Sequence, residues 1–300
     1  MARIRGSIER RRRRIGFLFI TLWLAGLIIF YAYPLGYSFF MTFNEIFSAV
    51  GPEGPYLDWT FVGFGNYRYA FGEDPQFLTS MIIFLQESLL MIPVIVVFAL
   101  LVSYLLSRKL PGRAGYRAVF FLPVIITGGG VILSILETGD VAAGGLDFLR
   151  SEQLTIYVEN NLPANVAGAV VGVLERFSII LWYSGVQILI LLAGYSAVSP
   201  TVYEAARIDG AGGWETFWKI TLPSLVPFIM LNVVYTIVDQ FTLPWNPILA
   251  LTREHLTSAR TGIGYAATVG WIYFIFTSVM IGLAFFVFRK RLPKTDRGGR

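Results

Sequence analysis

Several polar residues interrupt an apolar stretch at 223–250 and could bind a polar molecule. Charged side chains are costly in an apolar segment of membrane length, and they usually face the protein interior or a water-filled path. Positions 232, 235, 239 and 246 advance by three, four and seven residues, so one face of a helix can carry them all. Such a face would offer hydrogen-bond donors and acceptors to a solute. Its residues are Asn232, Tyr235, Asp239 and Asn246, with Gln240 beside Asp239.

Polar and aromatic groups of the same kind occur in three other apolar segments. They are Trp182, Tyr183 and Gln187 in one segment, Trp271 and Tyr273 in another, and Glu87 in a third. Glu87 is an acid that we expect to be buried, because a lipid-facing carboxylate would be costly. Aromatic residues at the ends of membrane spans often serve only as interface anchors, and this alternative stays open for the tryptophan and tyrosine residues.

The residues needed for catalysis or metal binding are scarce. There is no cysteine, which excludes disulfides, cysteine metal sites and thiol catalysis. The single histidine, His255, excludes a metal site built from several histidines of this chain, and we expect it in a solvated loop. Neither paired carboxylates, a nucleophile elbow nor a G-x-x-x-x-G-K-S/T phosphate-binding loop is recognisable. The sequence therefore predicts that this chain is not an enzyme and binds no metal.

The composition is that of a membrane protein that crosses the bilayer several times. Hydrophobic residues make up 55% of the 300 residues, mean hydropathy is +0.64, and only 14% of the residues are charged. A soluble domain averages about 25% charged residues, so this chain has too little polar surface for water. Apolar runs long enough for a spanning helix lie at 15–43, 79–107, 117–136, 166–195, 223–250 and 263–289. We therefore predict an all-α fold with six transmembrane helices.

The basic residues are distributed unevenly along the chain. Nineteen of the 24 Lys and Arg residues lie at the two termini and in the loops after the second and fourth spans. The positive-inside rule then places these regions, and both termini, in the cytoplasm. The predicted organisation is a basic N-terminus at 1–14, a six-helix domain at 15–290 and a basic tail at 291–300. Because the basic residues cluster beside apolar runs, they indicate contact with membrane lipid and not with nucleic acid.

The loop at 199–223 has features of a docking segment. Ser199-Pro200 is typical of a helix start, and Glu204 follows in the early turns. Gly210 is placed to end this helix. A second short helix is predicted over 214–220, with Trp214, Phe217, Trp218 and Ile220 on its apolar side. Two helices around a glycine turn favour docking in a partner's groove over a plain connector.

This loop resembles the EAA loop of ABC importer permeases. The matching positions are Glu204, Ala205, Ala206, Gly210, Ile220, Leu222 and Pro223. The fuller run Y-E-A-A-R-I-D-G-A, which adds Arg207, Asp209 and Ala211, is similar to the carbohydrate-importer branch. Further matches are F-V-G-F-G-N-Y at 61–67, F-F-L-P at 120–123 and L-L-A-G at 191–194. The similarity thus extends over most of the chain, although residues 137–165 depart from the usual pattern.

The resemblance implies a fold, a location and a set of partners. The fold would be the type I ABC importer transmembrane domain in the cytoplasmic (inner) membrane of a prokaryote, with 199–223 as the coupling loop. The partners would be a second permease, two ATP-binding subunits and an extracytoplasmic solute-binding protein. ATP and Mg would be used by the ATP-binding subunits, and this chain would bind no cofactor. Its short basic ending looks like that of the first maltose-type permease subunit, which favours a heterodimer.

The resemblance also gives the polar residues a role, with alternatives. A sugar or sugar-like solute would suit them, because its hydroxyl groups need hydrogen-bond donors and acceptors. Asp239 could instead pair with a residue of the second permease and hold the dimer together. The alternative function for the whole chain is a stand-alone secondary transporter or channel. That function predicts inverted repeats and charged pairs at mid-membrane, which the sequence does not clearly show.

Overall fold

The computed structural model describes residues 16–17, 20–51, 54–108, 115, 152–161, 163–243, 246–258 and 260–290. The chain divides into two compact units, one of Met1–Leu78 with Leu251–Tyr273 and the other of Thr79–Ala250 with Phe274–Arg300. The predicted third span at 117–136 and both basic ends, 1–14 and 291–300, lie outside the described residues.

Most of the described elements are helices. In chain order they are α1 (Ile20–Met41), β1 (Asn44–Gly51), β2 (Gly54–Phe61), α2 (Gly65–Gly72), α3 (Pro75–Ser107), α4 (Glu152–Asn161), α5 (Ala164–Ala197), α6 (Pro200–Ile208), α7 (Gly213–Thr216), α8 (Leu222–Thr242), α9 (Pro247–Thr257) and α10 (Gly262–Phe288). Helix α4 falls within 137–165, the segment whose sequence departs from the usual permease pattern. The mainly helical prediction is therefore confirmed.

Membrane-length apolar helices occur at four places in the described residues. They are Ile20–Met41, Pro75–Ser107, the stretch Gly213–Thr257, and Gly262–Phe288. A fifth results if Tyr183–Ala197 and Pro200–Ile208, which are bent by 63° to each other, count as one span. These segments coincide with five of the six predicted spans, and the predicted number of six stays a prediction.

The first unit contains a β-hairpin that corrects the all-α prediction. Strands β1 and β2 pair antiparallel, from Asn44 opposite Phe61 to Gly51 opposite Gly54. The side chain of Ile46 is completely buried. The signal was present in the sequence, because runs rich in β-branched and aromatic residues flank a glycine- and proline-rich turn. We assigned no element to this segment between the first two predicted spans, because the prediction relied on apolar runs of helix length.

Two glycines allow the hairpin to lie against the start of α10. A Cβ atom on Gly264 would be 1.8 Å from the carbonyl oxygen of Asn44, and one on Gly262 would be 2.4 Å from that of Ile46. Gly262 also has a φ of +72°, a conformation that strains residues with a side chain. The backbone of β1 can approach α10 this closely only because both positions lack a side chain.

Asp74 accepts several hydrogen bonds in the same unit. Its Oδ1 accepts from the backbone N–H of Phe77 at 3.0 Å, which caps the start of α3. Its Oδ2 accepts from the hydroxyl of Tyr265 at 2.5 Å and lies 3.6 Å from Nε2 of His255. Nδ1 of His255 is 2.9 Å from the hydroxyl oxygen of Thr261. The expected solvated loop position of His255 is therefore wrong, because the ring lies on α9 and is largely enclosed.

The second unit is built around the packing of α5 on α8. Gly194 of α5 is the contact point, because a Cβ atom there would be 2.7 Å from Cγ of Phe228 and 2.8 Å from Cδ2 of Leu225. Phe228 and Ile229 also pack against a buried core, which contains Ala99, Leu106, Ile188, Leu191 and Leu192. The glycine of the L-L-A-G run thus lets two membrane-length helices approach closely, as small residues commonly do in membrane proteins.

Candidate functional site: the loop at 199–223 and the polar face of α8

The loop begins with α6, as predicted, but without a side-chain cap. Ser199 precedes the helix in an extended conformation, and Pro200 takes the first helical position. The Ser199 hydroxyl does not bond to a helix N–H, and its oxygen lies 2.8 Å from the hydroxyl oxygen of Thr201. The start of α6 is therefore set by the backbone and the proline, which is pre-organised for a helix.

Gly210 ends α6 in the left-handed conformation, with a φ of +76°. Its N–H donates to the carbonyl of Arg207 at 3.1 Å, and the N–H of Ala211 donates to the carbonyl of Ala206 at 2.9 Å. These two bonds form a Schellman motif, in which glycine is favoured because positive φ strains other residues. The predicted helix end at Gly210 is confirmed.

The predicted second helix is not a separate element. Helix α7 continues through a π-helical turn at Phe217–Thr221 directly into α8. Pro223, which we expected to begin the span, is the second residue of α8. A proline lacks the N–H of a regular turn and its ring crowds the preceding carbonyls, so a wider turn next to it relieves the helix. The N–H of Leu222 accordingly donates to Phe217, five residues earlier.

The loop exposes large apolar side chains. Ile208 is 86% exposed, Trp214 75% and Trp218 48%. Glu204 and Ala205 are also exposed, whereas Ala206 is buried. Exposed apolar groups rimmed by charged residues commonly mark a protein interaction site. We call Glu204, Ile208, Trp214 and Trp218 the loop surface.

The polar residues predicted for one helix face do not all lie on one helix. Asn232, Tyr235 and Asp239 lie on α8, whereas Asn246 follows its end at Thr242, so that prediction is wrong for Asn246. Nδ2 of Asn232 donates to the main-chain carbonyl of Gln187 on α5 at 2.8 Å. Oδ1 of Asn246 accepts from the N–H of Ile248 at 2.9 Å and caps α9. Both amides are buried and bonded to main-chain groups, so we expect them to hold helices together rather than to line an open path.

Asp239 and Gln187 are brought together from two helices. Asp239 and Tyr235 on α8 are half-buried, and the Asp239 carboxyl group lies within reach of the side-chain amide of Gln187. Gln187 is fully buried, and its amide makes no hydrogen bond of regular geometry with the described residues. The side-chain oxygen of Gln240 is also buried and likewise has no hydrogen-bond partner among the described residues. Their hydrogen-bonding capacity suits a bound polar molecule or ordered water.

The sequence is similar to known transport proteins over most of its length. No model of a protein family matches it. The probable ABC transporter permease protein YesP of Bacillus subtilis strain 168 is 25% identical over 303 residues, which covers 92% of this chain and 91% of that protein. The multiple sugar-binding transport system permease protein MsmF of Streptococcus mutans UA159 is 26% identical over 250 residues, which covers 83% and 81%.

A solved structure has the same fold. It is a chain of a bacterial ABC transporter involved in the import of the acidic polysaccharide alginate, with a TM-score of 0.61 and 18% identity over 96% of this chain and 99% of that chain. The chain is an ABC transporter permease. The similarity covers the spans as well as the loop, so it does not depend on the EAA-like residues alone.

Glu87 of the permease is not buried as we predicted. It lies on α3 and is exposed on the surface of the chain. The sequence argument assumed one isolated chain, in which a charged residue of a span must face inward. In an assembly, a surface of one subunit can face another subunit. A contact of Glu87 with solute stays a prediction.

The predicted aromatic residues of the permease have different environments. Nε1 of Trp271 donates to the hydroxyl oxygen of Ser38 at 3.3 Å, and its ring lies 5.0 Å from that of Phe39. Tyr273 is buried and Tyr183 half-buried, while the side chain of Trp182 lies outside the described residues. Trp271 therefore joins α10 to α1 within the first unit.

A cavity of about 440 Å³ in the first unit was missed by the sequence analysis. Its lining includes two acids, Glu45 and Glu73, and two bases, Arg68 and Arg260. The two arginines are among the few basic residues on the predicted outer side, and this was the available signal. The mixed charges can neutralise one another across the cavity.

We expect Asn232→Ala to lower the stability of the permease and to leave solute affinity unchanged. The substitution removes the hydrogen bond between α8 and α5, and such bonds in membrane proteins contribute about 0.6 kcal/mol, with values up to about 2 kcal/mol. Thermal unfolding in detergent and the KM of uptake give the two readouts. Asp239→Asn is the matched variant, and we expect it to raise the KM and to leave the unfolding temperature unchanged. A raised KM with unchanged unfolding temperature in Asn232→Ala would contradict the assignment.

Proposed function

We propose that this permease is a membrane subunit of an ATP-driven importer that receives a sugar or sugar-like solute from an extracytoplasmic binding protein. Sugar transport by the MsmF system and alginate import by the structural neighbour support this solute class. The side-chain amide of Gln187, the side-chain oxygen of Gln240 and the carboxyl group of Asp239 support it independently, because they can form hydrogen bonds with hydroxyl groups.

The loop surface is the observation that carries the proposal. Trp214, Trp218 and Ile208 are exposed around a helix that ends sharply at Gly210. An amphipathic helix displayed in this way fits the apolar groove of a partner protein. We assign the loop at 199–223 to contact one of two ATP-binding subunits in the cytoplasm. Those subunits hold ATP and Mg and carry out its hydrolysis, and this chain binds no cofactor.

Transport then follows from the movement of this loop. ATP draws the two ATP-binding subunits together, and the loop moves with the subunit that holds it. The spans change from inward-open to outward-open, the binding protein delivers the solute, and hydrolysis restores the inward-open state. ATP can drive this cycle because it binds the two states with different affinity.

The assembly would contain a second permease of different sequence in the inner membrane of a prokaryote. The exposed Glu87 on α3 supports a subunit-facing surface, because a carboxylate facing lipid is costly. Both termini would lie in the cytoplasm, in accord with the positive-inside rule. A stand-alone secondary transporter is the second candidate, and it leaves the loop surface without a role.

Native mass spectrometry of the tagged chain, purified gently in detergent from its own host, tests the proposal. We expect an ATPase dimer and a second six-span subunit to co-purify with it. Trp214→Ala should lose the ATPase because it removes the most exposed ring of the loop. Phe71→Ala is the matched control, since it removes an exposed ring of α2 on the predicted outer side. A wild-type monomer or homo-oligomer without ATPase would overturn the proposal, and ATP-independent uptake in liposomes would establish the second candidate.

A further inference from the structure

Tyr104 joins the loop at 199–223 to two long helices of the second unit. It lies near the C-terminal end of α3, and its ring is half-buried. The ring centroid is 5.2 Å from that of Phe217 in the π-helical turn and 6.0 Å from that of Tyr195 on α5. Three elements that are distant in sequence therefore meet at one side chain.

The contact at Phe217 continues outward to the loop surface. The rings of Phe217 and Trp218 are 5.4 Å apart and nearly perpendicular, and those of Trp218 and Trp214 are also 5.4 Å apart. Edge-to-face pairs of this kind are favourable and directional. The rings of Tyr195, Tyr104, Phe217, Trp218 and Trp214 form an aromatic row from α5 to the most exposed ring of the loop.

Arg108 fixes Tyr104 from the other side. Its guanidinium lies over the Tyr104 ring, 4.6 Å from the centroid, and donates to the Tyr104 hydroxyl. A cation over an aromatic face and a hydrogen bond to the same residue together restrict the rotation of the ring. Tyr104 thus presents a firm surface to Phe217.

The loop itself is closed by a second contact. Oγ1 of Thr221, at the end of the π-helical turn, donates to the hydroxyl of Tyr203 on α6 at 3.4 Å. Helix α6 and the turn are thereby linked across the glycine segment at 210–213. A displacement of the loop surface would therefore move α6 and Phe217 together.

We propose that Tyr104 is a positioning residue that transmits the displacement of the loop to α3 through Phe217. The loop is continuous with α5 and α8 through the backbone, and the contact of Tyr104 with Phe217 adds a link to α3. With it, α3 follows the loop as well, because close-packed rings do not compress. The inference rests on the proposed function, in which a partner moves the loop.

Crosslinking tests the contact independently of transport. The chain has no cysteine, so introduced cysteines are the only thiols in it. We expect the pair Tyr104→Cys and Phe217→Cys to crosslink efficiently with a short bifunctional thiol reagent in native membranes. The pair Tyr104→Cys and Trp214→Cys is the matched control and should react far less, because two rings separate these positions in the aromatic row. Equal reaction of both pairs, or of neither, would overturn the contact.

The ratio of solute uptake to ATP hydrolysis in the assembled transporter tests the role. Coupling through a single contact corresponds to about a 2- to 30-fold effect, and we expect Tyr104→Ala and Phe217→Ala each to lower the ratio about 5-fold. The double variant should be no worse than either single variant, because both remove the same contact. Tyr104→Phe keeps the ring and should retain most of the ratio.

Three results separate this role from a merely structural one and from the proposed function. The ATPase should still co-purify with Tyr104→Ala, because the loop surface is intact. An unchanged uptake ratio in that variant, or additive losses in the double variant, would overturn the positioning role. Absence of an ATPase from the wild-type assembly would instead overturn the proposed function, while the crosslink between positions 104 and 217 would still form.

Discussion

Gly210→Val should reduce solute uptake by more than tenfold while the permease stays folded in the membrane. Gly210 has a φ of +76°, and left-handed backbone costs other residues about 1–2 kcal/mol, with β-branched residues the worst case. No atom of the described residues lies within 4 Å of an added Cβ, so the cost is conformational and not a clash. To relieve it, the chain must leave α6 in another direction, which displaces Trp214. Uptake in whole cells and the amount of protein in the membrane are the measurements.

Two neighbouring substitutions isolate the cause. Gly212→Ala places a methyl group two residues further on, where φ is −68° and space is also open, so uptake should stay near the wild-type level. Gly210→Asn should be intermediate, because asparagine tolerates positive φ better than other residues. Wild-type uptake in Gly210→Val would argue against a coupling role for the loop. Equal inactivity of Gly212→Ala would show that positive φ is not the reason.

The loop shows which local features a sequence can reveal. The end of α6 was predictable because Gly210 supplies a local backbone property that few other residues tolerate. The continuous run from α7 into α8 was not, because Pro223 indicates a helix start as readily as a π-helical turn before it. Which alternative forms depends on how Phe217 and Thr221 pack, and those contacts involve residues far away in sequence.

The polar residues of α8 also show that contacts between residues distant in sequence cannot be predicted from a local pattern. Periodicity correctly placed Asn232 and Asp239 in one helix, but it cannot say which side chain is already bonded. The partner of Asn232 is the carbonyl of Gln187, 45 residues away. Glu87 was misjudged for a related reason, since burial in an assembly differs from burial in one chain. The hairpin carried a strand signal in its own sequence, but its packing against α10 depends on Gly262 and Gly264, which are distant in sequence.

Gly264→Ala should destabilise the permease more than any other single-methyl change considered. The added Cβ would lie 1.8 Å from the carbonyl oxygen of Asn44, which belongs to the backbone of β1 and cannot rotate away. Either the hairpin or the start of α10 must move, and overpacking of this kind costs about 1–3 kcal/mol or more. A lower unfolding temperature in detergent and faster proteolysis of the hairpin at 44–61 are the expected observations.

The same substitution elsewhere on α10 provides the control. Among the residues that the structure describes, the nearest atom to a Cβ on Gly270 is Cγ2 of Thr252, at 4.0 Å, so Gly270→Ala introduces no clash there. Alanine is favoured over glycine within a helix by about 1 kcal/mol, and this variant should be as stable as the wild type or slightly more stable. If Gly264→Ala lowers the stability and Gly270→Ala does not, the hairpin requires a residue without a side chain at position 264. Equal stability of the two variants would mean that β1 does not lie against α10 as the structure has it.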